Sequence, residues 1–410
     1  MLIYSSEQAA AFTPFSLMRM ILILFIPGLP ERLRLAGSSR SIRELSMKAL
    51  FGLRNMTLAL AIVSAFSLTA CQPPSRKVDG SGAVVIQPSS PDNLIQRELE
   101  EGVQQIVYLP ATNTLYIARA QAAETVSGGM IQRLDATTLQ SRGAGHFDLK
   151  NVGLIGEPDG STLYATNTSD GAITAIDPEN GRVLKRLILN EKDQRGQPCH
   201  PHEILLHDGL LYIGDAGESG TIWVVQAKTL KLKARITGAG KAIAGLLFSP
   251  VSDRIYATNG SGEILVINPR NHRIEQRLTA GDGQADPFLN MAEDPATGRL
   301  FVTARSQAGQ ARVFDERSGR VIQSLMPGDS LGIKFNGKRN EIYISQRASK
   351  KVLQLDGTTY EVKNSWSFGG HPENLLVTPD GQTLFVTLKQ EIGEDSSGQP
   401  QDGVARINLQ

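Results

Sequence analysis

The densest group of residues able to do chemistry is Cys199-His200-Pro201-His202-Glu203. A His-x-His pair beside a carboxylate can begin a metal site, because imidazole and carboxylate both ligate zinc and related ions. Two ligands from one segment do not make a site. The candidate third is His371, which precedes Pro372 as His200 precedes Pro201. The alternative is that His202 and His371 hydrogen-bond the loops that these prolines shape. A second set is Glu203, Asn290, Asp329 and Asn374, an oxygen-rich group suited to a divalent cation. Lys241 can meet an anionic ligand or stand in solvent. Trp223 and Trp366 carry rings on which a nucleobase can stack. Trp223 lies in the apolar run Ile222 to Val225 and reads as core, whereas Trp366 lies near a strand end and is expected to be partly exposed. Arg305, Arg347 and Lys389 could build a local basic patch or be solvated loop residues. The chain has no Gly-rich phosphate loop, nucleophile elbow or His-Glu-x-x-His motif. No haem-attachment motif precedes His200 either, since position 196 is glycine.

These residues are scattered over most of the chain, so repeated elements must bring them together. The stretch Arg254 to Gly281 shows the element. Ile255 to Asn259 reads as a strand closed by Gly260, Ser261 and Gly262. Glu263 to Asn268 is a second strand with an unbroken apolar run, and Ile274 to Leu278 is an alternating third. An unbroken run implies a strand covered on both faces, and alternation implies one covered face. The stretch therefore needs neighbours like itself.

The chain supplies them. An aliphatic-aromatic pair recurs as Leu115-Tyr116, Leu163-Tyr164, Leu211-Tyr212, Ile255-Tyr256, Leu300-Phe301, Ile342-Tyr343 and Leu384-Phe385, at spacings of 48, 48, 44, 45, 42 and 42 residues. A second strand follows each, usually ending in Asp or Asn, whose side chain can bond the amides of its own turn. A shorter apolar strand precedes each, as at Gly245 to Ser249. Four strands per unit and a period in the forties predict an all-β fold, a seven-bladed β-propeller of four-stranded antiparallel blades. The last unit ends at Gln410 without an outer strand, and Asn93 to Leu99 has the pattern of one. It is expected to close the ring by completing blade seven. In such a ring, ligands are expected at the loops leading into the innermost strands: Gly102 to Gln105, Leu149 to Gly153, Gln197 to Glu203, Gly240 to Ala244, Gln284 to Asn290, Gly328 to Leu331 and Gly369 to Asn374.

The N-terminus has a different character. From Met47, Lys48 and Arg54 precede a short apolar core, Leu58 to Leu68, and Leu68-Thr69-Ala70-Cys71 matches a bacterial lipobox. This predicts a lipoprotein signal over 47–70, lipidation at Cys71, a Pro/Ser/Gly-rich tether over 71–92 and a propeller over 93–410. Residues 1–46 read as a non-mature segment upstream of the true start. Gln72 is not the Asp of inner-membrane retention, so the periplasmic face of the outer membrane is the expected location; a cleaved signal and a soluble periplasmic protein are the alternative. With Cys71 lipidated, Cys199 has no disulfide partner. The chain carries a net charge of +1, which divides into +4 over residues 1–70 and −3 over 71–410, so the mature part lacks the overall basic footprint of a strong nucleic-acid binder.

Units reading Leu-Tyr-Ala-Thr-Asn, Ala-Ile-Thr-Ala-Ile-Asp-Pro and Gly-Arg-Val resemble the YVTN-repeat β-propeller family. The likeness extends to a periplasmic branch of it through Gly171 to Leu189, Thr221 to Ile236, Gly370 to Leu376 and the extended last-blade loop Lys389 to Gly403. It covers about Asn93 to Gln410. The resemblance implies a seven-bladed propeller in the bacterial envelope, without established enzyme activity and with a capacity to bind single-stranded DNA. The lipobox and the acidic mature charge depart from that pattern. The expected function is a monomeric, non-enzymatic binding platform without a cofactor, taking a protein, peptide, polymer or single-stranded DNA ligand on the channel face. It would meet the membrane through its lipid anchor alone. The alternative is a metal-dependent, lactonase-type hydrolase with a divalent cation in the channel.

Overall fold

The computed structural model describes residues 93–120, 128–192, 196, 198–283, 286–305, 310–325, 327–390 and 401–409. The upstream segment, the signal, Cys71, the tether, Gln197, Gln284 and most of the last-blade loop lie outside the described residues.

The chain begins with β1 (Leu94–Leu99) and then builds six complete sheets. Blade 1 is β2 (Val103–Leu109), β3 (Thr114–Arg119), β4 (Gly129–Asp135) and β5 (Ser141–Phe147). Blade 2 is β6 (Leu154–Gly156), β7 (Leu163–Asn167), β8 (Ala172–Ile176) and β9 (Val183–Ile188). Blade 3 is β10 (Pro201–His207), β11 (Leu210–Asp215), β12 (Ile222–Gln226) and β13 (Lys231–Ile236). Blade 4 is β14 (Ile243–Ser249), β15 (Arg254–Asn259), β16 (Ile264–Asn268) and β17 (Arg273–Leu278). Blade 5 is β18 (Phe288–Asp294), β19 (Arg299–Ala304), β20 (Ala311–Asp315) and β21 (Arg320–Leu325). Blade 6 is β22 (Ile333–Asn336), β23 (Glu341–Gln346), β24 (Lys351–Asp356) and β25 (Val362–Ser367). Blade 7 takes β26 (His371–Val377), β27 (Thr383–Lys389) and β28 (Asp402–Asn408) from the C-terminus and β1 as its outer strand, paired antiparallel from Leu94 opposite Ile407 to Leu99 opposite Asp402. The fold and its closure are those expected from the repeats. Among the described residues, no helix is long and apolar enough to cross a membrane.

The repeated residues explain the repeated unit. Each aromatic of the second strand, from Tyr116 to Phe385, is buried. One such core joins Tyr256, Ile264 and Val266 of blade 4 to Phe288, Leu300 and Phe314 of blade 5. Apolar surface thus leaves water between blades, and no blade has a core of its own. The strand-ending acids hold their turns: Asp135 accepts from the amides of Thr137 and Thr138 at 2.9 and 2.8 Å, and Asp356 from Thr358 and Thr359 at 2.8 and 2.9 Å. Such bonds keep the half-buried carboxyls of Asp135, Asp177 and Asp356 below the usual carboxylate range, the backbone amides of Thr138, Glu179 and Thr359 contributing most.

Five of the seven expected loops are partly strand, two of them carrying candidate histidines. Pro201 to Glu203 belongs to β10, and His371 to Asn374 to β26. Both inner strands continue toward the loop face through a register shift, between Pro201 and Ile204 and between Pro372 and Leu375. Such a bulge re-aims side chains while the ladder goes on.

Candidate functional site

The inner strands follow one another around the ring in sequence order, with β26 returning to β2. Their entry loops and the loops between second and third strands share one face, called here the mouth. The turns between first and second and between third and fourth strands share the other.

Register assigns each blade an equivalent position on the inner strand, two residues before the partner of the buried aromatic. Gln105, Gly153, Glu203, Gly245, Asn290, Gly332 and Asn374 occupy it. At this level a hydroxyl at the end of the second strand clasps the next blade. Thr166 donates to the His202 carbonyl at 2.9 Å, Thr303 to Leu331 at 2.7 Å and Ser345 to Glu373 at 2.8 Å. The same hydroxyls accept from Gly153, Asn290 and Gly332 amides at 2.8, 3.0 and 2.8 Å. The glycines follow from this approach: a Cβ at Gly153 would lie 2.1 Å from the His202 carbonyl oxygen, and one at Gly332 would lie 2.5 Å from that of Glu373.

Of the oxygen-rich group, Glu203, Asn290 and Asn374 share this inner-strand level, whereas Asp329 lies apart from it. The Asn290 amide donates to the Leu331 carbonyl at 3.2 Å and the Asn374 amide to Gln104 at 3.1 Å, so both fasten neighbouring blades. Asp329 instead accepts from the Ala348 amide and from the Ser349 hydroxyl, the latter at 2.6 Å, and so organises a loop between second and third strands. His202 lies 3.5 Å from Glu203, but His371 does not complete a triad with them: it is buried, with Nδ1 2.8 Å from the Arg347 carbonyl. Among the described residues, no three His, Cys, Asp or Glu side chains gather to hold a metal. Cys199 is buried, and desolvation pushes its thiol up to about 12, away from nucleophilic use.

The basic and aromatic candidates also fall apart. Trp366 is 2% exposed and packs on Tyr343, so it offers no face to a base; the strand end that suggested exposure is covered by blade 7. Trp223 is core, as expected, with its indole donating to Glu191 at 3.0 Å. Arg347 and Lys389 both face one carboxylate, Glu373, at 3.0 and 3.8 Å. Their patch is therefore partly neutralised. Arg305 and Lys241 remain exposed at the mouth.

The channel itself holds a cluster that includes two residues not singled out from the sequence. Gln105 of blade 1 donates to Glu203 of blade 3 at 3.0 Å, passing over glycine at the equivalent position of blade 2. Its carbonyl oxygen accepts from the Leu154 amide of blade 2 at 2.9 Å. The second is Lys334 of blade 6. It pairs with Tyr343, a level whose equivalents in other blades are Val107, Ile155, Leu205, Leu247, Ala292 and Leu376. Lys334 is solvent-exposed, yet enclosure by protein lowers its pKa from that of an ordinary lysine, with the Glu203 carboxylate partly opposing the fall. The Glu203 carboxylate of blade 3 thus lies within electrostatic reach of Lys334 of blade 6. The signal in the sequence was a single lysine at a position that is aliphatic in the other six repeats.

Seven four-stranded blades in a ring closed by the N-terminal strand define a seven-bladed β-propeller. The chain belongs to the YncE family. It is similar to the uncharacterized protein YncE of Salmonella typhimurium, 32% identical over 323 residues that cover 78% of this chain and 91% of that protein. It is 32% identical to YncE of Escherichia coli K12 over 356 residues, covering 86% and 95%. Antigen Lp49 of Leptospira interrogans is 24% identical over 176 residues, covering 42% of this chain and 39% of that one. No family model matches the chain.

Proposed function

We propose that the protein is a non-enzymatic binding platform of the bacterial envelope, tethered by a lipidated Cys71, and that its partner is a protein or peptide seated on the mouth of the channel. The observation that carries this reading is the contact of Gln105 of blade 1 with Glu203 of blade 3, whose carboxylate is also within electrostatic reach of Lys334 of blade 6. A rigid ring that presents polar groups from several blades suits recognition, and fold alone assigns no chemistry. Single-stranded DNA is the weaker reading, because Trp366 is buried and Arg347 and Lys389 share Glu373.

The platform reading predicts that envelope partners held by the wild-type protein are lost when Lys241 and Arg305 are both changed to Glu. They are retained when Lys228 and Arg317, on the opposite face, are changed in the same way. Equal retention by both pairs would reject the mouth as the docking face. The DNA reading predicts salt-sensitive oligonucleotide binding that strengthens in Glu373→Gln, which frees Arg347 and Lys389. Anchoring predicts palmitate incorporation that Cys71→Ala abolishes.

A further inference from the structure

We infer that the channel captures the free C-terminal carboxylate of an extended peptide, with Lys334 receiving the carboxylate and Glu203 accepting a backbone N–H nearer the mouth; this rests on the platform reading and specifies its ligand.

Four observations carry it. First, Lys334 is exposed on its inner strand and makes no hydrogen bond to any described residue, so its amino group is open to a ligand. A carboxylate matches a protonated lysine with a charge-assisted bond. Second, Glu203 is an acceptor held in place by Gln105 at 3.0 Å, with lone pairs left for a donor. Third, register places Lys334 two residues farther from the mouth than the Glu203 level, roughly 6–7 Å along a strand. An extended peptide advances about 3.3–3.6 Å per residue, so a carboxylate at Lys334 brings an N–H one or two residues back to Glu203. Fourth, the wall at the level of Lys334 is apolar and partly exposed at Val107, Ile155, Leu205, Leu247 and Leu376, which suits an aliphatic terminal side chain. Capture of a terminal carboxylate by a fixed cation and backbone-directed groups is a general mode of peptide recognition.

The test uses the purified full chain and a fluorescein-labelled Gly-Gly-Ser-Ala-Val, read by anisotropy. The free acid is expected to bind, and the same peptide as its C-terminal amide to bind at least tenfold more weakly. Lys334→Met is expected to abolish the difference between acid and amide, and Lys334→Arg to keep it. The Met variant should fold, since aliphatic side chains fill this position in the other blades. N-acetylvaline is expected to compete weakly, because it lacks the N–H groups farther back. Competition as strong as that of the peptide would overturn the peptide inference in favour of a small-carboxylate site. Equal binding of acid and amide, binding indifferent to Lys334→Met, or no binding at all would overturn it too. None of these outcomes changes the Lys241 and Arg305 experiment, so the platform reading stands or falls separately.

Discussion

At the scale of single residues, the least conspicuous side chains carry the most. Glu203 was legible because it sits in the densest polar cluster of the sequence. Gln105 and Lys334 were not, because their role comes from positions in blades 1 and 6, and no local pattern announces a contact across a ring. Asn290 and Asn374 carry a role that residue type does not announce. Their types suit a cation, but an amide N–H near a neighbouring carbonyl fastens backbone instead. One further group gives a test on the face opposite the mouth. The Ser249 hydroxyl lies 2.7 Å from Glu293 and also against Glu316, and one hydroxyl proton serves only one carboxyl. Burial first, and Glu316 beside it, raise the Glu293 pKa from 4.5 to about 7. A raised folded-state pKa favours the protonated, folded form. Its stability contribution is full below pH 4.5 and is lost as pH rises through about 7. Thermal midpoints at pH 5 and pH 8 should therefore differ less in Glu293→Gln than in the wild type, with the variant gaining at pH 8. An unchanged difference would show that Glu293 does not take up a proton on folding.

At the scale of elements, the strands were readable because apolar runs, aromatics and turn-holding acids repeat with a regular period. The inner strands were drawn too short in the sequence. Gly245 to Ser249 begins at Ile243 in the structure, and β26 begins at His371, because a bulge carries the ladder past prolines and polar residues that read as loop. The hydroxyl clasp between blades was also hidden, since a Thr or Ser ending a strand is ordinary. Thr303 is fully buried, accepts from Asn290 and donates to Leu331. Thr303→Val keeps the shape and leaves an amide and a carbonyl without this partner, which should cost about 1–3 kcal/mol. Denaturant unfolding measures it; Thr303→Ser should restore most of the loss, and a Val variant as stable as wild type would remove the clasp from the account.

At the scale of the molecule, closure makes the ring one cooperative body. β1 covers the edge of β28 and buries Leu99 with Val103, Phe385 and Val404. Asp402 ties the seam further, accepting from the Gly102 and Val103 amides at 2.8 Å each. Deleting Asn93 to Leu99 exposes a strand edge and should lower the melting temperature and promote association. An unchanged melt and a monomeric variant would contradict this role. The closing strand was legible because one repeat lacked its outer strand and the chain carried a spare copy of the pattern.

We propose that envelope partners meet the mouth of the channel. Site-specific photo-crosslinking in intact cells tests it most directly, with the probe placed in turn at Lys241 and Arg305 on the mouth and at Lys228 and Arg317 on the opposite face. Adducts are expected from the mouth positions only. Adducts from the opposite face alone, or none from the mouth, would contradict it.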